Sequence, residues 1–422
     1  MFIHQRRITK GFGPCTMIMA SYIVWSILSL LLYNSSWFAG AYSKLTFFPF
    51  VYLFLMLLIA IWPGIQYERA LISSIQKPNK HLLYIFFIIY GVCSIIVLIV
   101  SLPHLTDGIV QLLTDSDAGQ IMYEEANAAD SHSDLSSQNV TSGFLSIFNT
   151  IHALFRDPSI FLLFFYLTLK NRNNSIVFFL IVILVSDLLI SLAGGGRTSF
   201  VMILLTILVA YYLFKDFLDE KIRKSVRSIG IVLILLVSIP FMALTISRWS
   251  DNSASGGTVG GLLSYAGQGT LNFNEYCLDA NGTREGSRTA GYFKYLLGLS
   301  ERQNVRSVRN TYFYMKLDDT YFSTFVGDFV LDYGPILAAL LFVLFSFFFS
   351  KLTKPLNRKM PFHRLLALFF ALSVCGQGGM YLFNYSFGNN LIILAYLFLY
   401  VVFYIDYLFQ NQNNNHSYIE KT

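Results

Sequence analysis

Long apolar runs alternate with short polar interruptions along almost the whole chain. Runs of about membrane-crossing length recur near 15–34, 45–63, 82–102, 143–169, 175–193, 199–214, 228–247, 322–350, 364–384 and 388–407. This pattern predicts an all-α integral membrane protein with about ten transmembrane helices. It also divides the chain in three. Residues 1–247 carry about seven spans and an acidic loop at 103–142. Residues 248–320 form one large loop with helix-like patches at Leu262 to Tyr276 and Thr289 to Leu299, and residues 321–422 supply about three more spans. No internal period of roughly 20 to 50 residues and no matching halves of the transporter kind are present.

The tightest connection is Leu192-Ala193-Gly194-Gly195-Gly196-Arg197-Thr198-Ser199, which turns one apolar run directly into the next. Three glycines leave backbone amides open to an anion, and Thr198 and Ser199 can cap the helix that follows. A planar guanidinium beside a helix N-terminus can hold a phosphate through two parallel hydrogen bonds, which makes Gly194, Gly195, Gly196, Arg197 and Thr198 candidate diphosphate ligands. The alternative is a plain tight turn with Arg197 snorkelling to the interface.

Composition agrees with the pattern. The 422 residues are 55% hydrophobic, 17% aromatic and 13% charged, far too apolar for a soluble globule of this size. Forty Phe and 26 Tyr suit lipid-facing helices with aromatic belts at the interfaces. Cys15, Cys93, Cys277 and Cys375 are scattered, so neither a disulfide framework nor a metal site is expected. No cleavable leader is expected either, since the first apolar run is long enough to stay in the membrane.

Charge orients the chain. Of the 30 basic residues, 19 fall on the terminal segments and on alternate connections that share a side with them. By the positive-inside rule that side is cytoplasmic, with both termini there, and the net charge of +6 needs no nucleic-acid partner. Eight of the other basic residues lie in the single long segment from Arg248 to Thr320, and a loop of that length is translocated regardless of its charge. The loop from Pro103 to Thr141 has seven acids and no Lys or Arg, which reads as a solvated surface segment. Thr289 to Leu299 is suited to lying on the membrane surface.

On the outer face arginine is the recurring signal: Arg197, Arg248, Arg284, Arg288, Arg302, Arg306 and Arg309. The last three share a face if their stretch is helical. Lysine is scarce there, which favours planar recognition of phosphate or carboxylate, although anchoring to lipid headgroups accounts for any one of these arginines. Asp328 and Asp332 stand four apart at the mouth of the eighth span, just before Gly334-Pro335, which can break the helix. A carboxylate beside arginines at a membrane boundary is either a general base or an ion-pair partner. Asp187, Arg156 and Asp157 lie within apolar runs, where ionisable groups serve function or pair two spans. Asp318-Asp319 lacks further ligands, so no metal is expected. Phosphate-loop, dinucleotide, serine-elbow and histidine-rich metal motifs are all lacking from the sequence, and no cofactor is expected.

With its span count, its long outer loop in the second half and two short motifs, the chain resembles the Wzy-type O-antigen and capsule oligosaccharide repeat-unit polymerases. Ala193-Gly194-Gly195-Gly196-Arg197-Thr198 is similar to the small-residue-plus-arginine motif between adjacent spans of that family. Phe325-Val326-Gly327-Asp328-Phe329-Val330-Leu331-Asp332-Tyr333-Gly334-Pro335 is similar to its signature after the large loop, with Asp328 where glutamate is more usual. The resemblance implies a GT-C-like glycosyltransferase of the bacterial inner membrane. It would join an undecaprenyl-diphosphate-linked glycan to an incoming lipid-linked repeat unit at the periplasmic face, with no nucleotide sugar and with a chain-length regulator as a partner besides membrane lipids. Arg197, Arg248 and Arg284 or Arg288 would hold the leaving diphosphate, Arg302, Arg306, Arg309 and Asp332 would contact diphosphate or glycan, and Asp328 would take the acceptor proton. The alternatives are the related ligase that transfers finished glycan to lipid A core and a lipid-linked oligosaccharide flippase.

Overall fold

Helices occupy the positions of all ten apolar runs in the computed structural model, which describes Gln5 and residues 11–38, 40–114, 144–193, 197–249, 256–301, 305–317, 321–380 and 387–419. In chain order they are α1 (Pro14–Tyr33), α2 (Phe47–Ala60), α3 (Trp62–Arg69), α4 (Lys80–Thr114), α5 (Leu145–Leu167), α6 (Asn174–Ala193), α7 (Arg197–Phe214) and α8 (Glu220–Trp249). There follow α9 (Gly257–Tyr276), α10 (Gly291–Leu296), α11 (Val305–Thr311), α12 (Thr324–Leu352), α13 (Phe362–Gln377) and α14 (Phe387–Ile419). Among the described residues six helices are long and apolar enough to cross a membrane, or seven if α2 and α3, bent by 47°, form one span. Two shorter apolar helices, Asn174–Ile190 within α6 and α13, lie beside them. The chain is thus a multi-pass helical membrane protein. Its one departure from an all-helical expectation, among the described residues, is a pair of three-residue strands. These are β1 (Ser74–Gln76) and β2 (Lys359–Pro361), which pair in parallel with Ile75 opposite Met360.

α5 runs through the middle. Its residues Ile160 to Leu167 are buried on every side, the mark of a helix surrounded by others. Aromatic rings fill the space around it: Phe165 and Phe362 lie 4.6 Å apart, as do Phe362 and Phe403, and Phe161 packs on Phe214 at 5.1 Å. Outward-facing positions are apolar too, as lipid requires. On α12 the exposed stripe is Ile336, Leu340, Val343, Phe347, at helical spacing.

Basic connections gather at one end of the bundle. There Lys215 donates to the Phe12 carbonyl, the Asn79 amide donates to Asp406 Oδ2 at 2.8 Å, and the two strands join the connection after α3 to that after α12. Glu68 Oε1 accepts the Cys15 amide at 2.8 Å and so caps α1, whose positive end meets a carboxylate. A Cβ on Gly13 would stand 2.2 Å from that oxygen, so only glycine fits.

α9 corrects the expected loop. It begins five residues before the helix-like patch read from the sequence, and it packs along α1 as part of the bundle. Ser29 Oγ donates to Gly267 O at 2.7 Å, and a Cβ on Gly267 would stand 2.7 Å from Leu28 O. Gly267 therefore lets α9 lie against the backbone of α1.

Candidate functional site

The site is built on a break in α12. Gly334 has φ 76° and ψ 164°, a conformation open to glycine alone, and Pro335 follows with no N–H to give to Leu331 four residues back. Apart from the half-buried Phe329, residues from Thr324 to Asp332 are buried inside the protein, whereas after Pro335 Ile336, Leu337, Leu340, Val343 and Leu344 face lipid. The Leu331 carbonyl left over by proline accepts the Arg284 backbone N–H at 2.8 Å, and Asp332 O accepts that of Gly286 at 3.2 Å. The loop before α10 therefore docks on the break through its own backbone. Gly286 sits at φ +75°, and a Cβ there would come within 2.8 Å of the Tyr333 hydroxyl.

That docking carries the Arg284 guanidinium between two carboxylates. Its Nε donates to Asp332 Oδ1 at 2.7 Å, and its Nη2 donates to Asp328 O at 3.1 Å and stands 3.5 Å from Asp328 Oδ1. Arg284, Arg288, Asp328 and Asp332 are all buried, none more than 3% exposed. Asp332 Oδ2 accepts the Thr289 amide at 2.7 Å and the Arg288 amide at 3.3 Å. Asp332 thus takes donors on both oxygens, all from the loop. Expected as a glycan or diphosphate contact, it instead fastens the loop to α12. Asp328 is held more loosely by Arg284. It lies inside the protein, where the sequence alone placed it at an open mouth.

Further contacts fix the loop from outside. The Thr289 hydroxyl donates to Tyr333 OH at 2.9 Å, Asn390 on α14 donates to Thr289 O and accepts the Tyr292 amide, and Ser287 meets the Tyr312 hydroxyl at 3.0 Å. Cys277, between α9 and the loop, is buried near Asp328, and burial with that carboxylate pushes its thiol up. On the exposed rim Lys316 pairs with Asp279 and holds its carboxyl below the usual range. Thr289, Tyr333 and Asn390 carry no motif, and only the fold brings them to the site.

The remaining candidates divide by position. Arg309 is half-buried on α11, and Arg306 is on the same short helix. The face expected to be shared with Arg302 is not described, because Arg302 lies outside the described residues. So do Gly194, Gly195, Gly196, the pair Asp318-Asp319 and the acidic loop from 115 to 143. Arg197 and Thr198 open α7 and Arg248 lies in the last turn of α8, with side chains likewise outside the described residues. The described residues contain no cluster of three or more His, Cys, Asp or Glu side chains able to hold a metal.

Comparison with known proteins bears on the class and not on the chemistry. Residues 177–276, about a quarter of the chain, match the family model for the 4TM region of the DNA translocase FtsK/SpoIIIE. The match runs from α6 to the end of α9 and is a likeness between membrane-spanning regions. No curated protein and no solved structure matches the chain. Fold and likeness together define a multi-pass membrane protein.

Proposed function

We propose that this protein is a GT-C-like glycosyltransferase that polymerises undecaprenyl-diphosphate-linked oligosaccharide repeat units at the periplasmic face of a bacterial inner membrane. About ten of its helices would cross the bilayer, leaving both termini cytoplasmic. The observation that carries the reading is the buried Arg284 held between Asp328 and Asp332, with Arg288 in the same loop, at a break in a membrane helix. A lipid-linked diphosphate sugar brings its own leaving group, so the protein must hold the departing diphosphate and ease loss of one proton. Arginine suits the first task through paired hydrogen bonds.

The geometry supports a division of tasks between the carboxylates. Asp332 orients Arg284 and the loop. Asp328, with the longer contact to the guanidinium, takes the proton from the acceptor hydroxyl as that oxygen attacks the anomeric carbon and the lipid diphosphate leaves. Arg197 and Arg248, at the ends of α7 and α8, complete the diphosphate site in this reading, with Gly194, Gly195, Gly196 and Thr198 around it. Arg302, Arg306 and Arg309 line the path of the glycan. Resemblance to the O-antigen and capsule polymerases supports the same assignment.

The test is chain growth in vitro. Purified protein in nanodiscs, supplied only with undecaprenyl-diphosphate-linked repeat units, should yield a ladder of lengthening lipid-linked glycans. A ladder formed without lipid A core separates a polymerase from a ligase, and no lengthening under any repeat unit tried from the source strain would reject the proposal.

A further inference from the structure

Away from the arginine–aspartate site, three side chains form a hydrogen-bonded line between α4, α5 and α6. Ser94 Oγ lies 2.7 Å from the Tyr90 carbonyl and 2.9 Å from His152 Nδ1, and His152 Nε2 lies 2.9 Å from Asp187 Oδ1. Ser94, His152 and Asp187 are all buried, and the Tyr90 ring stacks on the imidazole at 5.6 Å and 10°. Polymerisation as proposed above uses none of them.

The hydrogens in this line can be counted. A carbonyl only accepts, so the single Ser94 hydroxyl proton points to Tyr90 O; turned toward His152 it would leave two acceptor oxygens facing each other at 2.7 Å. His152 Nδ1 then faces a hydroxyl lone pair and must carry a hydrogen itself. A hydrogen must also lie between Nε2 and Asp187 Oδ1, because two bare acceptors would repel at 2.9 Å. The pair is therefore imidazolium with carboxylate, or imidazole with carboxylic acid. Either form holds one proton more than a neutral histidine beside an ionised aspartate.

The surrounding charges fit that count. Arg156 Nε donates to Asp157 Oδ1 at 3.2 Å, so the neighbouring cation already has its counter-ion. Asp187 Oδ2 is buried with no hydrogen-bond partner, where a bare carboxylate beside a neutral ring would be costly. The ionisable side chains facing this cluster among the described residues are Tyr90 on α4, Arg156 and Asp157 on α5 and Tyr396 on α14.

We propose that His152 and Asp187 form a membrane-embedded proton-binding site that holds one shared proton, with Ser94 fixing the tautomer. The site lies seven residues into α5 and six before the end of α6, about 10 Å along each helix from the ends remote from the basic loops. Loss of the proton strands a buried negative charge between α5 and α6, so their contact depends on its presence. α6 ends at Ala193, six residues after Asp187.

Nitrogen-15 NMR of histidine-labelled protein in nanodiscs of phosphatidylethanolamine and phosphatidylglycerol tests this. The chain has seven histidines, and the resonances that shift in the isosteric variant Asp187→Asn identify His152. At about pH 7 the wild type should show His152 Nδ1 protonated, the rarer state for a neutral imidazole. In Asp187→Asn, Nδ1 should keep its hydrogen while Nε2 becomes a bare acceptor for the new amide. A wild-type spectrum with hydrogen on Nε2 and a bare Nδ1 would send the serine proton to the ring and remove the site. Labelling of Ser94 by a fluorophosphonate probe would also overturn the proposal, because the line would then serve a nucleophilic serine.

Discussion

Replacing Asp332 with asparagine changes no atom count at the site, yet it should detach the loop that carries Arg284 and Arg288. Every neighbour of the Asp332 carboxyl is a donor: Arg284 Nε on Oδ1, and the Thr289 and Arg288 amides on Oδ2. Asparagine must turn its NH2 toward one set or the other, so at least one buried donor meets another donor. Removing one partner of a buried ion pair costs about 3–5 kcal/mol. The retained contact of Arg284 with Asp328, at 3.5 Å, offsets part of that, which leaves about 2–4 kcal/mol. The assay is thermal unfolding of purified wild type and Asp332→Asn in the same nanodiscs, with limited proteolysis of the segment from Arg284 to Leu299. A clear drop in melting temperature and faster cleavage within that segment are expected. Wild-type melting together with wild-type cleavage would refute the claim that Asp332 fastens the loop, and Asp332 would return as a substrate contact.

Asp328→Asn should lower chain growth by about 10²-fold or more, the usual scale for loss of a general base, while lipid-linked donor still binds; unimpaired growth would remove Asp328 from the mechanism. Arg197→Lys should lose most polymerisation despite keeping its charge, because lysine offers one point charge where a fork is needed, and wild-type ladders at normal membrane levels would make Arg197 a simple anchor. Gly286→Ala should destabilise the loop by about 1–3 kcal/mol, since its positive φ and the Tyr333 hydroxyl both oppose a Cβ, and a variant melting like wild type would contradict the docked geometry. Cys277 should resist maleimide at mildly alkaline pH in the folded protein, because burial and Asp328 keep its thiol protonated. Reaction as fast as that of a surface cysteine would show that the loop opens.

Much of the architecture, though not every helix end, was legible as hydrophobic pattern, since helix occupies each apolar run. The exceptions share a cause: contacts between residues far apart in the chain. β1 and β2 are three residues each and nearly 300 positions apart, too short to leave a pattern. Gly267 leaves no mark in the pattern, yet the close approach of α9 to α1 depends on its lack of a side chain. At the site, Arg284, Arg288, Asp328 and Asp332 were recognisable by residue type. The bonds that join them were not, because they span 43 to 48 positions, such as that from Thr289 to Asp332. That Asp332 receives donors from the loop on both carboxyl oxygens is a property of the docked loop and has no signature in residue type.

The break at Gly334-Pro335 also imposes an order of assembly on the nascent chain. The loop from Arg284 to Thr289 leaves the ribosome first, but the carbonyls and carboxylates that receive it belong to α12, some 40 residues later. Until α12 enters the membrane, two arginines of the loop lack the aspartates and carbonyls that bury them in the finished protein. The segment must therefore wait, unfastened, while its receptor is synthesised and inserted, and it closes only when α12 has bent. Premature release of the chain before residue 324 would leave every span up to α8 in place and the arginine loop with nothing to dock on.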